Sequence, residues 1–208
     1  MNSNGYLITF EGIDGCGKTT QAELLYKHLI DSGCSSHIFR EPGGTVVGEK
    51  IRSILLDSAN NDMEPLAELF LYLAARVQIT HRRIRPALEN GDIVIMDRYS
   101  DSTVAYQGFA RNIGRDVTQR LNGIATFGIV PDLTFIIDCT PEIALLRFSG
   151  RPDRLESEGV SFMYRVREGF LFIAAAFPER CVLIDGEQPV GDISSRILSV
   201  VRERLKRG

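Results

Sequence analysis

Gly12-Ile13-Asp14-Gly15-Cys16-Gly17-Lys18-Thr19 lies between two patterned flanks, Tyr6-Leu7-Ile8-Thr9-Phe10 before it and Thr20-Gln21-Ala22-Glu23-Leu24-Leu25-Tyr26-Lys27-His28-Leu29 after it. The first flank is a short apolar run of the kind that forms a buried strand. In the second, Ala22, Leu25 and Leu29 recur at helical spacing. The octapeptide fits the pattern G-x-x-x-x-G-K-[ST], and strand, glycine-rich loop and helix in that order make it a phosphate-binding loop. Glycines let several backbone N–H groups converge on phosphate oxygens, and the helix N-terminus adds partial positive charge. Lys18 then reaches the outer phosphates, and the Thr19 hydroxyl ligates Mg²⁺. We therefore expect residues Gly12 to Thr19 to hold a nucleoside triphosphate. A glycine-rich turn without a ligand would not need the flanking strand and helix.

Outward from this loop, apolar runs alternate with amphipathic stretches to the end of the chain. Expected strands are Tyr6–Glu11, His37–Arg40, Ile93–Asp97, Leu133–Asp138 and Val182–Asp185. Expected helices are Thr19–Ser32, Val47–Asp57, Pro65–Asn90, Ser100–Gln107, Val117–Phe127, Pro141–Phe148, Ser161–Phe177 and Asp192–Arg207. Runs such as Ile93-Val94-Ile95-Met96 are continuously apolar, as strands covered on both faces must be. Alternating strands and helices with right-handed crossovers imply an α/β fold, a doubly wound parallel five-stranded sheet with helices on both faces. Ligands then gather beyond the carboxyl ends of the strands. Asp14, Arg40-Glu41 and Asp97-Arg98 all fall there.

The 208 residues contain no Pro/Ser-rich linker, so we expect a single domain over 1–208 with a mobile segment at about 147–158. With 44% hydrophobic residues the chain can bury a full core, and a net charge of −3 without a basic tract argues against nucleic acid. Cys16, Cys34, Cys139 and Cys181 are scattered, as expected of unpaired thiols in a reducing compartment. Cys16 in the loop is either open to oxidation or a solvated residue of no consequence. Met1-Asn2-Ser3-Asn4-Gly5 suggests neither signal peptide nor membrane anchor, so we expect a cytoplasmic protein.

Four further constellations carry chemistry. Asp97-Arg98-Tyr99 ends a buried strand: a carboxylate there assists Mg²⁺ near Thr19, and an Arg beside it grips a phosphate with a planar fork. Arg40-Glu41-Pro42-Gly43-Gly44-Thr45 is either a ligand loop or simply a turn into the next helix. Tyr72 and Arg76 are four apart on one helical face, where they either sandwich a flat base or pack on each other. Arg147, Arg151 and Arg154 cluster around Gly150 and Pro152, which suits a flap bringing positive charge to a transferring phosphoryl group.

With these motifs in order, the chain resembles the bacterial thymidylate kinases from about Leu7 to about Pro189. The likeness is carried by Phe10-Glu11-Gly12-Ile13-Asp14-Gly15-Cys16-Gly17-Lys18-Thr19-Thr20, Arg40–Thr45, Leu73-Ala74-Ala75-Arg76-Val77-Gln78, Asp97-Arg98-Tyr99 and Ser102-Thr103-Val104-Ala105-Tyr106-Gln107-Gly108. Asp153-Arg154-Leu155-Glu156 is similar too. The resemblance implies transfer of a phosphoryl group from ATP to dTMP with Mg²⁺, by a homodimer without nucleic-acid or membrane partners. It places Asp14 at the sugar 3′-hydroxyl and Arg98 on the acceptor phosphate. Asp97 and Glu41 fall near the metal, with Thr19 and Asp97 as its ligands. It makes Tyr72 the stacking residue and Arg76 the reader of the base edge; Pro42, Thr103 and Gln107 border the pocket, and Tyr106 crowds a ribose 2′-hydroxyl. Tyr72 departs from the Phe that is commoner at that position. Lys18, Arg98, Arg151 and Arg154 would share the charge stabilisation, with Arg154 the first choice among the flap arginines and Arg147 at the triphosphate. The alternatives are another phosphate-loop nucleoside or nucleotide kinase, a GTP-dependent switch protein and a non-catalytic nucleotide-binding module. The switch protein should carry Asn-Lys-x-Asp after a late strand, where this chain has Cys139-Thr140-Pro141.

Overall fold

The computed structural model describes residues 5–147 and 153–207. Strands β1 (Tyr6–Glu11), β2 (Ser36–Arg40), β3 (Ile93–Asp97), β4 (Leu133–Asp138) and β5 (Cys181–Asp185) form one parallel sheet in the order β2-β3-β1-β4-β5. Between and after them run α1 (Lys18–Asp31), α2 (Val46–Leu56), α3 (Pro65–Ile79), α4 (Arg85–Glu89) and α5 (Ser100–Thr103). The second half adds α6 (Arg115–Ala125), α7 (Pro141–Arg147), α8 (Val160–Ala176) and α9 (Val190–Arg207).

The central strands β1, β3 and β4 are mostly apolar because the sheet is buried on both faces there, whereas the edge strands β2 and β5 are partly exposed. Neighbouring strand residues point to opposite sides. Leu7, Val94 and Met96 pack with Ile79, Ile84 and Ala87, while Ile8, Phe10 and Ile95 join a larger cluster with Ala22, Leu25 and Leu29 of α1. The register pairs Phe10 with Asp97 and Arg40 with Asp97. The ends of β1, β3 and β2 are therefore level, which brings the phosphate loop, Arg98 and Glu41 to one edge.

Two expected helices are not regular. Residues 65–90 divide into α3, a π-helical turn at Thr80–Ile84, and α4. Pro86 lacks the N–H that an α-helix would use, and its ring crowds the carbonyl four residues back, so the backbone widens ahead of it. The apolar residues of this region also span two faces. Leu69 and Leu73 are buried, but Leu66 and Phe70 are 49% and 54% exposed. Likewise Ser100–Thr103 passes into a π-helix over Val104–Ala110. Among the described residues no helix is long and apolar enough to cross a membrane.

Candidate active site

The phosphate loop turns between β1 and α1 with its glycines in backbone conformations that side chains avoid. Gly17 has φ +99°, and a Cβ there would meet no atom within 4 Å, so its constraint is conformational rather than steric crowding. At Gly12, φ +141°, a Cβ would collide with the Ile137 carbonyl of β4. Lys18 is buried and donates from Nζ to the Ile13 carbonyl and to Asp14 Oδ1, each at 3.2 Å. Beside the loop opens a cleft of about 620 Å³, lined by Gly15, Gly17, Lys18, Thr19, Arg147 and the 186–190 turn. Arg147 is held at its edge by donating to the Gly186 carbonyl at 2.8 Å.

Thr19 Oγ1 donates to Asp97 Oδ2 at 2.5 Å, and Asp97 Oδ1 is buried without a hydrogen-bond partner. A buried carboxylate oxygen left without a donor fits a hard cation. Among the described residues no cluster of three or more His, Cys, Asp or Glu could hold a metal ion. Mg²⁺ does not require such a cluster, since it is typically held by one or two protein oxygens and completes its shell with phosphates and water.

A second, narrower cavity of about 70 Å³ is lined by Asp14, the ion-pair partner of Lys18. Its wall includes Asp14, Glu41, Pro42, Tyr72, Arg98 and Thr103, and it is completed by Tyr106 and Gln107. Asp153 and Leu155 also border it. Small-ligand sites usually offer at least about 300 Å³, so a nucleotide entering here must displace part of that border.

Arg98 organises this cavity. It is one of the few non-glycine residues with positive φ, at 70°, a strained conformation held by its N–H bond to the Phe10 carbonyl at 3.0 Å. Its guanidinium donates to the Gly12 carbonyl (2.9 Å), Ser102 Oγ (3.0 Å), Asp14 Oδ1 (2.6 Å) and the Tyr106 hydroxyl (3.0 Å). The Tyr106 hydroxyl in turn donates to Asp14 Oδ2 at 2.9 Å. Burial opposes ionisation of Asp14, but Arg98 and Lys18 outweigh it and hold the carboxyl well below the usual range. Burial raises the Tyr106 hydroxyl, keeping it a neutral donor.

Two of the expected site residues are engaged by the protein's own groups. Arg76 does not border the cavity: it is 1% exposed and every one of its N–H groups is already engaged. Nε and Nη2 bind Glu41 Oε2 (2.8 and 2.6 Å), Nη1 binds Thr103 Oγ1 and Asn122 Oδ1, and Nη2 also reaches the Tyr99 carbonyl. Arg154, expected at the transferring phosphoryl group, is instead buried against Glu68 (2.6 Å) and the Leu55 carbonyl (2.8 Å). The reason is local. Asp153 Oδ1 accepts from the Glu156 N–H, and Glu156 Oε2 accepts from the Asp153 N–H, a reciprocal cap that frames the turn and projects Arg154 inward. Arg151 lies outside the described residues. Cys16 is not solvated: it is 1% exposed, and burial pushes its thiol up, away from the thiolate.

The structure adds residues that the sequence did not single out. Arg52 of α2 borders the second cavity and donates to the Pro42 carbonyl at 3.0 Å. Glu11, fully buried at the end of β1, accepts from the Tyr99 N–H (2.8 Å) and Ser102 Oγ (2.5 Å), and so anchors the turn carrying Arg98. Burial and the nearby Asp101 push its carboxyl up to about 8. Only an acid placed directly ahead of the loop's first glycine marked Glu11 in the sequence. Nothing local marked Arg52.

The thymidylate kinase family model matches residues 10–197. A thymidylate kinase of Caldanaerobacter subterraneus subsp. tengcongensis is 49% identical over 203 residues, covering 97% of both chains. One of Geobacter sulfurreducens is 44% identical over 211 residues, covering 98% of this chain and 99% of its own. The crystal structure of thymidylate kinase from Ehrlichia chaffeensis superposes with a TM-score of 0.79 at 35% identity, covering 96% of this chain and 99% of that one.

Proposed function

We infer, from the fact that this chain belongs to the thymidylate kinase family, that it transfers the γ-phosphoryl group of ATP to dTMP, giving dTDP and ADP. The observation that carries this reading is a pair of cavities joined by the Lys18–Asp14 ion pair: an open cleft along the phosphate loop, lined by Lys18, and a narrower one around Asp14 and Arg98. The triphosphate lies in the first, with Arg147 beside the base, and dTMP in the second.

Phosphoryl transfer asks the protein for alignment and charge stabilisation rather than covalent chemistry. Lys18 and the loop N–H groups hold the donor phosphates. The Arg98 fork grips the acceptor phosphate, and Asp14 and Tyr106 bound the sugar, leaving little room for a ribose 2′-hydroxyl. Tyr72 stacks on the base, and among the described residues no group bonds the Gln107 Oε1, which is left to accept its imide N–H. Thr19 and Asp97 hold Mg²⁺, which when bound neutralises phosphate charge. Glu41 Oε1, buried and without a partner, is placed to accept from water around that site.

The test is a coupled assay with ATP and each common monophosphate, run with and without Mg²⁺. We expect turnover with dTMP, none without Mg²⁺, and a slower reaction with dUMP, since losing one methyl contact is worth about 1–3 kcal/mol. Equal kcat/KM for dTMP, AMP and GMP would remove the base-pocket assignment.

A single kinase domain acting as a homodimer in the cytoplasm completes the proposal. Four free cysteines suit a reducing compartment. For the dimer, the support is an apolar surface left open on neighbouring helices: Leu66 and Phe70 on α3, Val117 and Ile124 on α6. Leu73 and Ile79 of the same helix are buried within the subunit. We expect Phe70→Glu to shift a dimer to monomer in sedimentation equilibrium at micromolar concentration. A wild-type monomer under those conditions refutes it.

A further inference from the structure

Glu68 lies on α3, fully buried, where the end of the 104–110 π-helix meets the 153–158 segment. Its Oε1 accepts from Gln107 Nε2 at 2.9 Å and from Arg111 Nε at 3.3 Å. Its Oε2 accepts from Arg111 Nη2 at 3.1 Å and Arg154 Nη2 at 2.6 Å. Arg111 also pairs with Glu158 at 2.5 Å, and the Arg154 N–H donates to the Leu56 carbonyl at 3.3 Å. Both ends of the 153–158 segment that borders the acceptor cavity therefore converge on this one carboxylate. Burial raises the Glu68 carboxyl, but hydrogen bonds from Arg111 and Gln107 outweigh it, and it sits below the usual range.

We propose that Glu68 is a positioning residue that fixes which side of the Gln107 amide meets the acceptor base, and fastens that wall to the 153–158 segment through Arg154. An ionised carboxylate can only accept hydrogen bonds, so it admits only the N–H side of the amide. The Gln107 carbonyl oxygen is thereby turned to the cavity, as an acceptor. An imide N–H, present at N3 of thymine and uracil, satisfies it. Cytosine offers a bare N3 lone pair at the same position, so two acceptors would face each other without a proton. A Gln107 free to turn over would present Nε2 instead and would accommodate cytosine. Discrimination between the two pyrimidine edges thus originates in a residue that does not border the cavity. This inference rests on the cavity around Arg98 being the acceptor pocket.

The experiment compares kcat/KM for dTMP and dCMP in the wild-type enzyme and in Glu68→Gln, Glu68→Asp, Arg154→Ala and Gln107→Ala. A site built to hydrogen-bond a substrate group rejects an analogue lacking it by up to about 10⁴-fold, and we expect Glu68→Gln, whose amide both donates and accepts, to cut the dTMP/dCMP ratio at least about tenfold. Glu68→Asp, still acceptor-only, should restore part of the ratio. Arg154→Ala should lower kcat while leaving the ratio within about twofold, because Gln107 keeps its partner. A folded Glu68→Gln variant with the wild-type ratio overturns the proposal. If Gln107→Ala collapses the ratio while Glu68→Gln does not, the pocket reading survives and the Glu68 role fails. If Gln107→Ala leaves the ratio unchanged, both fail. Should Glu68→Gln not fold, NMR of the wild-type protein decides. One Gln107 side-chain amide proton should be shifted downfield and exchange slowly; two protons exchanging like a free amide overturn the proposal.

Discussion

Arg98→Ala lowers kcat for dTMP phosphorylation by about 10²–10³-fold, the usual cost of removing one preorganised donor from a phosphoryl- or acyl-transfer site. Its guanidinium is fixed before any substrate arrives, by the Gly12 carbonyl, Ser102, Asp14 and Tyr106. None of that geometry has to be organised during the reaction. Loss of Arg98 also leaves Asp14 with only the Tyr106 hydroxyl at 2.9 Å and the longer Lys18 contact at 3.2 Å, so the phosphate loop is disturbed together with the acceptor site. Arg98→Lys keeps the charge but not the planar fork, and should recover less than about a tenth of the lost rate. Steady-state kinetics under saturating ATP check this. An Arg98→Ala enzyme within tenfold of the wild-type kcat, with dTMP KM unchanged, would mean that another cation grips the acceptor.

The second large effect concerns stability. Arg76→Met strands Glu41 as a buried, unpartnered carboxylate and leaves Asn122 and the Tyr99 carbonyl without donors. Breaking a buried ion pair from one side costs about 3–5 kcal/mol. In a chain of this size each kcal/mol corresponds to about 2–4 °C, so the unfolding temperature should fall by about 10 °C. Burial already raises the Glu41 carboxyl against the pull of Arg76, and without Arg76 it should bind a proton more readily still. The double variant Arg76→Met with Glu41→Gln should therefore recover much of the loss. Thermal denaturation decides. If Arg76→Met unfolds at the wild-type temperature but raises the dTMP KM steeply, Arg76 reads the base edge after all.

Arg76 and Arg154 show where the sequence stops being informative. Both arginines sit in motifs that place them beside the substrate, and both side chains are long enough to reach it. The Asp153-x-x-Glu156 spacing was itself a legible cap signature. It was less conspicuous than three arginines around Gly150 and Pro152, which suggested a charged flap. Glu68 left no trace at all, because an acid on an amphipathic helix is ordinarily solvent-facing. The π-helical turns of residues 80–84 and 104–110 were equally silent, although Pro86 marked the first of them in retrospect.

Features held by consecutive residues were settled by the sequence alone. The phosphate loop needs Gly12, Gly17, Lys18 and Thr19 at fixed separations, and strand and helix periodicity on either side places it at a sheet edge. The continuous apolar strands required a doubly covered parallel sheet, and that sheet put Asp14, Glu41 and Arg98 along one border. Tertiary structure alone decided which arginines are taken up by the protein's own carboxylates. Arg76 meets Glu41 and Asn122 across 35 and 46 residues, and Arg154 meets Glu68 across 86. A guanidinium binds a carboxylate of the protein and a phosphate of the substrate by the same fork, so residue type cannot distinguish the two uses. The packing of α3 against its neighbours does, by burying Glu41 and Glu68 where each must have an arginine of its own.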